Sequence, residues 1–341
     1  MTRAKGYLSA GHMAVMLSGA GLLWLAIGLG CLFWGQVSVA PGDVVRILTG
    51  GEAPAQDVNI VLMQRLPRVL LGLLAGGALG VAGAVFQALL RNPLATPHTL
   101  GVSAGAALGA VLAIALNLEA PRAGPFTSVQ LFALAGALVD IGIVYLLARH
   151  RDVFSPLRLL LAGVTLGLIS SALIMFVRFI SDPQKLVMVD RWLMGGLDVQ
   201  GFRSLAAVLP LLVPAVLILL TEADAMNQLS LGEEMAAGRG VDVPKVQAEA
   251  FLAGSVLTAA IVSVAGPIGF VGLIVPHVLR GIFGPDHRAL LFLCFFGGGI
   301  FLAGADTVAR SAFAPSELPV GVLTAMVGGP FFLVLLVTKI R

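Results

Sequence analysis

Charge is in short supply in this chain. Asp, Glu, Lys and Arg make up only 11% of its 341 residues, where a soluble domain carries about 25%. With 58% hydrophobic residues and a mean hydropathy of +0.99, no water-soluble fold of this size hides so much apolar surface. The main solvent must be lipid. Cysteine is nearly missing too. Cys31 and Cys294 both sit in apolar runs, which excludes a disulfide framework or a Cys/His zinc site and makes them small buried hydrophobes. No block of like charge occurs. The net charge is +3, and 17 Arg and four Lys are scattered in short clusters. The pI of 9.2 therefore does not signal a nucleic-acid partner.

Catalytic motifs are also lacking. No Gly-x-x-x-x-Gly-Lys-[Ser/Thr] occurs and none of the four lysines follows a glycine, so the chain has no P-loop with which to hydrolyse ATP. There is no His-Glu-x-x-His. The chain is expected not to be an enzyme, and to bind no cofactor or metal of its own. His277, after Pro276 near an inner helix end, has no second ligand nearby and reads as structural or helix-capping. Ionisable residues inside the apolar runs are few: Asp140 lies in the fourth, and Asp306 and Arg310 lie at the outer end of the ninth. A charge at membrane depth is a functional candidate. Asp306 and Arg310 are four apart on one helix face, however, which favours a local pair. So few buried carboxylates argue against an ion-coupled secondary transporter, the alternative reading.

What is present is a series of apolar runs long enough to cross about 30 Å of hydrocarbon. They cover 13–34, 67–90, 98–116, 128–148, 157–180, 203–221, 248–266, 268–283, 288–306 and 319–338. This predicts an all-α polytopic membrane protein of about ten transmembrane helices in a compact bundle, one domain over 1–341. Arg3 and Lys5 precede the first run, but a signal h-region spans about 7–15 residues, so that run is expected as a retained span. Only Gly266-Pro267 separates the seventh run from the eighth. Backbone broken at that depth must be buried in protein or line a cavity. Glycines at four-residue spacing (Gly72, Gly76, Gly80; Gly101, Gly105, Gly109) predict close helix crossings.

An even count puts both termini on one side. Placing them in the cytoplasm gives twelve Lys+Arg inside (Arg3, Lys5, Arg91, Arg149, Arg151, Arg158, Arg239, Lys245, Arg280, Arg288, Lys339, Arg341) and nine outside (Arg46, Arg65, Arg68, Arg122, Arg178, Lys185, Arg191, Arg203, Arg310). The positive-inside bias is slight and leaves an excess of outer arginine to explain. Two polar stretches stand out, 182–202 outside and about 222–248 inside. In the inner one, Ser230 with Glu233 three residues on reads as an N-cap opening a short docking helix.

Several motifs lie in one order along the chain: Arg65-Leu66-Pro67-Arg68, Arg91-Asn92-Pro93-Leu94-Ala95, Leu100-Gly101-Val102-Ser103-Ala104-Gly105, Gly266-Pro267-Ile268-Gly269-Phe270-Val271-Gly272, Gly284-Pro285-Asp286-His287-Arg288 and Glu317-Leu318-Pro319-Val320-Gly321. Over about residues 40 to 341 they resemble the FecCD-type permeases, membrane subunits of ABC importers for iron-siderophores, haem and vitamin B12. The resemblance implies a type II ABC importer permease fold in the cell inner membrane. It implies a homodimer with a pathway lined mainly by the fifth and tenth helices. Two cytoplasmic ABC ATPase subunits would use ATP and Mg, and a periplasmic or lipid-anchored substrate-binding protein would deliver cargo. Arg65, Arg68 and Arg310 match outer arginines that pair with acids of the binding protein. Asn92, Pro93 and Leu94, with Ser155 and Pro156, match the cytoplasmic gate. Leu231, Gly232, Glu233, Glu234, Ala236, Arg239 and Gly240 match the segment coupled to the ATPase. Arg239, Gly196, Thr96 and His98 depart from the family's usual residues.

Overall fold

Apolar runs closed off by proline, glycine and capping side chains become helices at nearly the predicted places. A computed structural model describes residues 10–119, 124–150, 153–312 and 316–339. Arg3, Lys5, Arg122, Arg151 and Arg341 of the charge tally lie outside the described residues. Helix α1 (Ala10–Gly30) is followed by short α2 (Pro41–Leu48) and α3 (Ala55–Asn59). A π-helical turn (Ile60–Arg65) joins α3 to α4 (Leu66–Leu89). After the 3-10 turn Pro97–Leu100 come α5 (Val102–Ala115), α6 (Ser128–Ala148), α7 (Pro156–Ile180), α8 (Pro183–Leu193) and α9 (Arg203–Thr221). Then follow α10 (Ala223–Leu229), α11 (Glu233–Gly238), α12 (Val243–Ala265), α13 (Val271–Phe283), α14 (His287–Ala312) and α15 (Val320–Lys339). A two-residue antiparallel ladder, Arg149–His150 with Val153–Phe154, links α6 to α7. Among the described residues seven helices are long and apolar enough to span, and three shorter apolar ones complete the ten expected.

Local chemistry fixes the starts. Thr127 and Gln130 form a capping box at α6. Ser155 caps α7 with Pro156 at its first position, and Asp242 accepts from the Lys245 amide at α12. Because these helices alternate in direction, α10 and α11 share one face of the bundle with the start of α1 and the end of α15, here the near face. The far face carries α2, α3 and α8.

Backbone contact between helices sets the core. A Cβ on Gly76 of α4 would fall 2.1 Å from the Gly298 carbonyl of α14, and one on Gly298 would fall 2.1 Å from the Gly76 carbonyl. Gly80 meets Cys294 in the same way at 2.5 Å. The second glycine stripe does the same for α5 and α6, with Gly105 against Gly136 and Gly109 against the Phe132 carbonyl. Lipid gives helices no hydrophobic reason to associate, so this close van der Waals approach is what binds them. Helix α4 is thereby almost wholly buried, while α1 leans on the outside through Trp24 packed against Phe295 and Phe296.

The break at Gly266-Pro267 is buried in protein, as its depth requires. Helix α12 ends at Ala265, and Phe270 starts α13 from a left-handed backbone at φ +67°. The freed groups find partners from three directions, and a fourth bond closes the loop beside them. The Gly196 amide donates to Ala265 O at 2.8 Å, and His98 Nε2 donates to Ile268 O at 3.0 Å. Gln87 Nε2 donates to Gly272 O at 3.2 Å. The Gly321 amide donates to Gly195 O at 3.2 Å, beside Pro267.

Candidate functional site

At the far face, burial decides what the three arginines do. Arg65 is 4% exposed and Arg310 is 3% exposed. Without water, their donors take the nearest carbonyls. Arg65 Nη1 donates to Leu32 O at 2.7 Å and Nη2 to Val37 O. Arg310 Nη2 donates to Cys31 O at 2.7 Å. Both satisfy backbone left open where α1 ends. Arg68 grips Asp306 through Nε and Nη2, each at 2.9 Å, while Nη1 reaches Glu317 at 2.8 Å. The expected Asp306–Arg310 pair is thus reduced to a 3.9 Å contact, because the planar fork of Arg68 takes both carboxylate oxygens. Within this chain, the three arginines matched to binding-protein docking are engaged: two hold main chain and one holds two acids.

Four more of the outer cations are matched as well. Arg46 pairs with Asp43 at 2.8 Å, Arg178 with Asp190, Lys185 with Asp182 at 4.0 Å and Arg191 with Asp198 at 2.6 Å. Between α8, the starts of α6 and α15 and the end of α12 lies a cavity of about 1030 Å³. Gln64, Gln130, Arg191, Trp192, Met194 and Glu317 face it.

At the near face, Arg91 ends α4 at φ +48° and Asn92, Pro93 and Leu94 form an exposed turn. Asn92 Oδ1 accepts from the Leu94 amide at 3.0 Å, an Asx turn. Arg91 reaches across to Glu233 of α11 at 2.8 Å. Ser155 and Pro156 open α7, whose Gly163 lies so close to Leu100 that a Cβ there would sit 2.6 Å from its Cα. The second expected constriction thus stands on the turn that follows the first.

The expected docking helix divides in two. Ser230 does not cap it: its hydroxyl donates to Asn227 O at 2.7 Å and closes α10. Gly232, at φ +127°, makes a break that a side chain would strain, and α11 starts from it without a side-chain cap. Ala236 is fully buried among Leu229, Val243 and Val246 and anchors α11. Leu231 and Met235 are left 53% and 50% exposed, beside exposed Glu234, Arg239 and Gly240.

Helices α7 and α15, the fifth and tenth spans, leave apolar faces uncovered in the single chain: Leu161, Leu168 and Phe179 on one, Met326 and Val327 on the other. Asp140 is buried at the α5–α6 crossing beside Gly105, its Oδ2 with no hydrogen-bond partner among the described residues. His277 lies mid-way along α13, half-buried, and not at that helix's own end.

The sequence model of the FecCD transport family matches residues 22–338. The chain belongs to the FecCD transport family. A cobalamin import system permease protein of Halobacterium salinarum is 44% identical over 80% of this chain and 72% of its own. A hemin transport system permease protein of Yersinia pestis is 40% identical over 82% and 84%. An iron(3+)-hydroxamate import system permease protein of Bacillus subtilis is 35% identical over 89% and 90%. Among solved structures, a metal-chelate type ABC transporter in an inward-facing conformation superposes with a TM-score of 0.84 at 29% identity, covering 95% of this chain and 99% of that one. This FecCD chain is therefore a multi-span transport permease of the ABC importer type, and the secondary-transporter alternative is not favoured.

Sequence reasoning missed two features of the FecCD chain. Glu317 was read only as part of a motif, although it is the second acid on Arg68. Asp286 was read likewise, yet it ties α10 to the start of α14: it accepts from Asn227 at 2.8 Å and from Arg288 at 2.8 Å. The Arg288 hydrogen bonds hold the Asp286 carboxyl below the usual carboxylate range, helped by Asn227 against the opposing effect of burial. A depressed carboxyl contributes stability that is complete above the ordinary Asp value of about 4. That contribution is lost as pH falls through the lower folded value. Melting of the purified chain along an acid series should show this loss, and Asp286→Asn should flatten that part of the curve.

Proposed function

We propose that the near face is cytoplasmic, with both termini there, and that two copies of this chain form one pathway between their α7 and α15 faces. Two ABC ATPase subunits, using ATP and Mg, dock on α11. A periplasmic or lipid-anchored binding protein delivers an iron chelate (siderophore or haem) or a corrinoid to the far face. This chain itself holds no cofactor. The observation that carries the reading is α11. It presents Met235 to solvent from an anchor at Ala236, with exposed Leu231 in the turn just before it, and its Glu233 is tied through Arg91 to the turn at Asn92, Pro93 and Leu94. Apolar side chains on a rigid, charged-rimmed element are what a partner's cleft buries. Rigid-body motion entering there reaches the gate directly. The named relatives support the cargo classes, and the uncovered faces of α7 and α15 support a second copy.

In this cycle ATP binding draws the ATPases together, α11 moves with them, and the turns at 92–94 and 155–156 change spacing while cargo enters from the far side. The test is uptake of labelled cargo by proteoliposomes holding the complete complex. Uptake is expected only with nucleotide, ATPase and binding protein together. Met235→Glu is expected to cut uptake roughly tenfold or more, as loss of an interface anchor does, while the ATPase keeps its basal turnover. Full-speed uptake by the purified chain without nucleotide would overturn the reading.

A further inference from the structure

We infer that the far-face cavity is built for a cargo without net charge, which resolves the cargo classes of the importer reading on which this rests. The cavity wall carries four ionisable side chains, two of each sign: Arg68 and Arg191 against Asp198 and Glu317. They stand already matched, Arg68 with Glu317 at 2.8 Å and Arg191 with Asp198 at 2.6 Å. The remainder of the α7–α8 rim cancels in the same way, since Arg178 and Lys185 meet Asp190 and Asp182. Arg68 has a further acid behind it in Asp306. Both arginines of the cavity wall are therefore already matched to acids, and neither offers an anion uncompensated positive charge.

Between those pairs the wall is neutral and hydrogen-bonding. Gln36, Gln64 and Gln130 bring amides, and Ile114, Val264 and Leu318 supply apolar floor. A trianionic chelate entering would lose hydration with no matched cations to replace it. A neutral chelate or corrinoid with amide or hydroxamate groups at its edge meets amide partners and apolar contact at little desolvation cost. The volume, about 1030 Å³, lies at the top of the usual range for small-molecule sites, about 300–1,000 Å³, and suits such a bulky guest. The wall holds no His, Cys or Tyr, and no cluster of three or more metal-ligating side chains occurs among the described residues. The metal therefore passes enclosed in its chelator.

The test is nucleotide-driven uptake into proteoliposomes of the complete complex, each probe presented at saturation. The probes are an uncharged ferric trihydroxamate, cyanocobalamin and a trianionic ferric tricatecholate. One of the two uncharged probes should enter at least about tenfold faster than the tricatecholate, the size of effect that one or two unit charges give at these distances. The variants separate the cavity's preference from that of the binding protein. Asp198→Asn leaves Arg191 unmatched and should raise the tricatecholate share, whereas Arg191→Gln leaves Asp198 unmatched and should lower it. Fastest uptake of the tricatecholate, or a ratio that neither variant moves, would overturn the inference and leave the importer reading standing. Uptake of no probe under any nucleotide condition would remove the importer reading and this inference with it.

Discussion

Gly83→Val is expected to destabilise the folded chain severely and lower its melting temperature sharply. Gly83 sits on α4 where α13 crosses it, and a Cβ there would fall 1.9 Å from the Gly272 carbonyl oxygen and 2.5 Å from its Cα. The obstacle is backbone, so no rotamer change relieves it. The two helices must separate by more than an ångström. That separation would also pull the Gln87 amide off Gly272 O and so strip part of the α12–α13 break of its partners. Overpacking commonly costs about 1–3 kcal/mol, and an unsatisfied buried carbonyl adds about 1–3 kcal/mol more. Against a total stability of about 5–15 kcal/mol the sum is severe. Gly304→Val on α14, where nothing lies within 4 Å, is the control and should be neutral. Because Cys31 and Cys294 are both buried, melting can be followed with a thiol-reactive dye on the native chain. Equal melting temperatures for Gly83→Val and Gly304→Val would contradict the crossing described here.

Arg68→Ala should show the second large effect, in the isolated chain with no partner present. It removes the bidentate partner of Asp306, which is 2% exposed and retains only a 3.9 Å contact to Arg310. Breaking a buried pair by deleting one member costs about 3–5 kcal/mol. Arg68→Lys should recover only part of this, since a point charge cannot hold both Asp306 oxygens and Glu317 together. Glu317→Gln, at a partly exposed site, should cost under about 1 kcal/mol. Arg65→Ala and Arg310→Ala should also lower the melting temperature, because each leaves carbonyls at the end of α1 without donors. If all three alanine variants melted like the wild type and lost only binding-protein affinity, the buried arrangement would be wrong and the docking role implied by the resemblance would be right.

The spans were legible because their cause is local. Lipid demands an uninterrupted apolar run, and proline, glycine or a cap marks each end. The runs at 128–148 and 203–221 coincide with α6 and α9 to the residue. Glycine spacing gave the crossings, since Gly72, Gly76 and Gly80 fall on one face of a helix whatever its partner is. The fate of Arg65, Arg68 and Arg310 was not legible. A guanidinium near a helix end looks the same in sequence whether it meets water or the carbonyls of a loop some 30 residues away in the chain. Asp306 was assigned to its neighbour four residues on because local pairs are visible in sequence, whereas Arg68 stands 238 positions away. Ser230 misled for a similar reason: the capping pattern was present, but the φ of Gly232 broke the helix before it could be used.

Helix α12 has a mechanical consequence. It starts beside α11 at the near face, runs 23 residues, and ends where Ala265 meets the Gly196 amide. At 1.5 Å per residue that is a strut about 34 Å long, with Val264 and Ala265 forming part of the far cavity wall. An axial thrust on its lower end would arrive at the upper end undiminished, since a helix hardly shortens under load. In the proposed cycle the bend at Gly266-Pro267 would be the knuckle that turns such a thrust sideways into α13 and α15. Under the proposed cycle, one unbroken rod would connect α11 with the far cavity, and no relay of side chains between them would be needed.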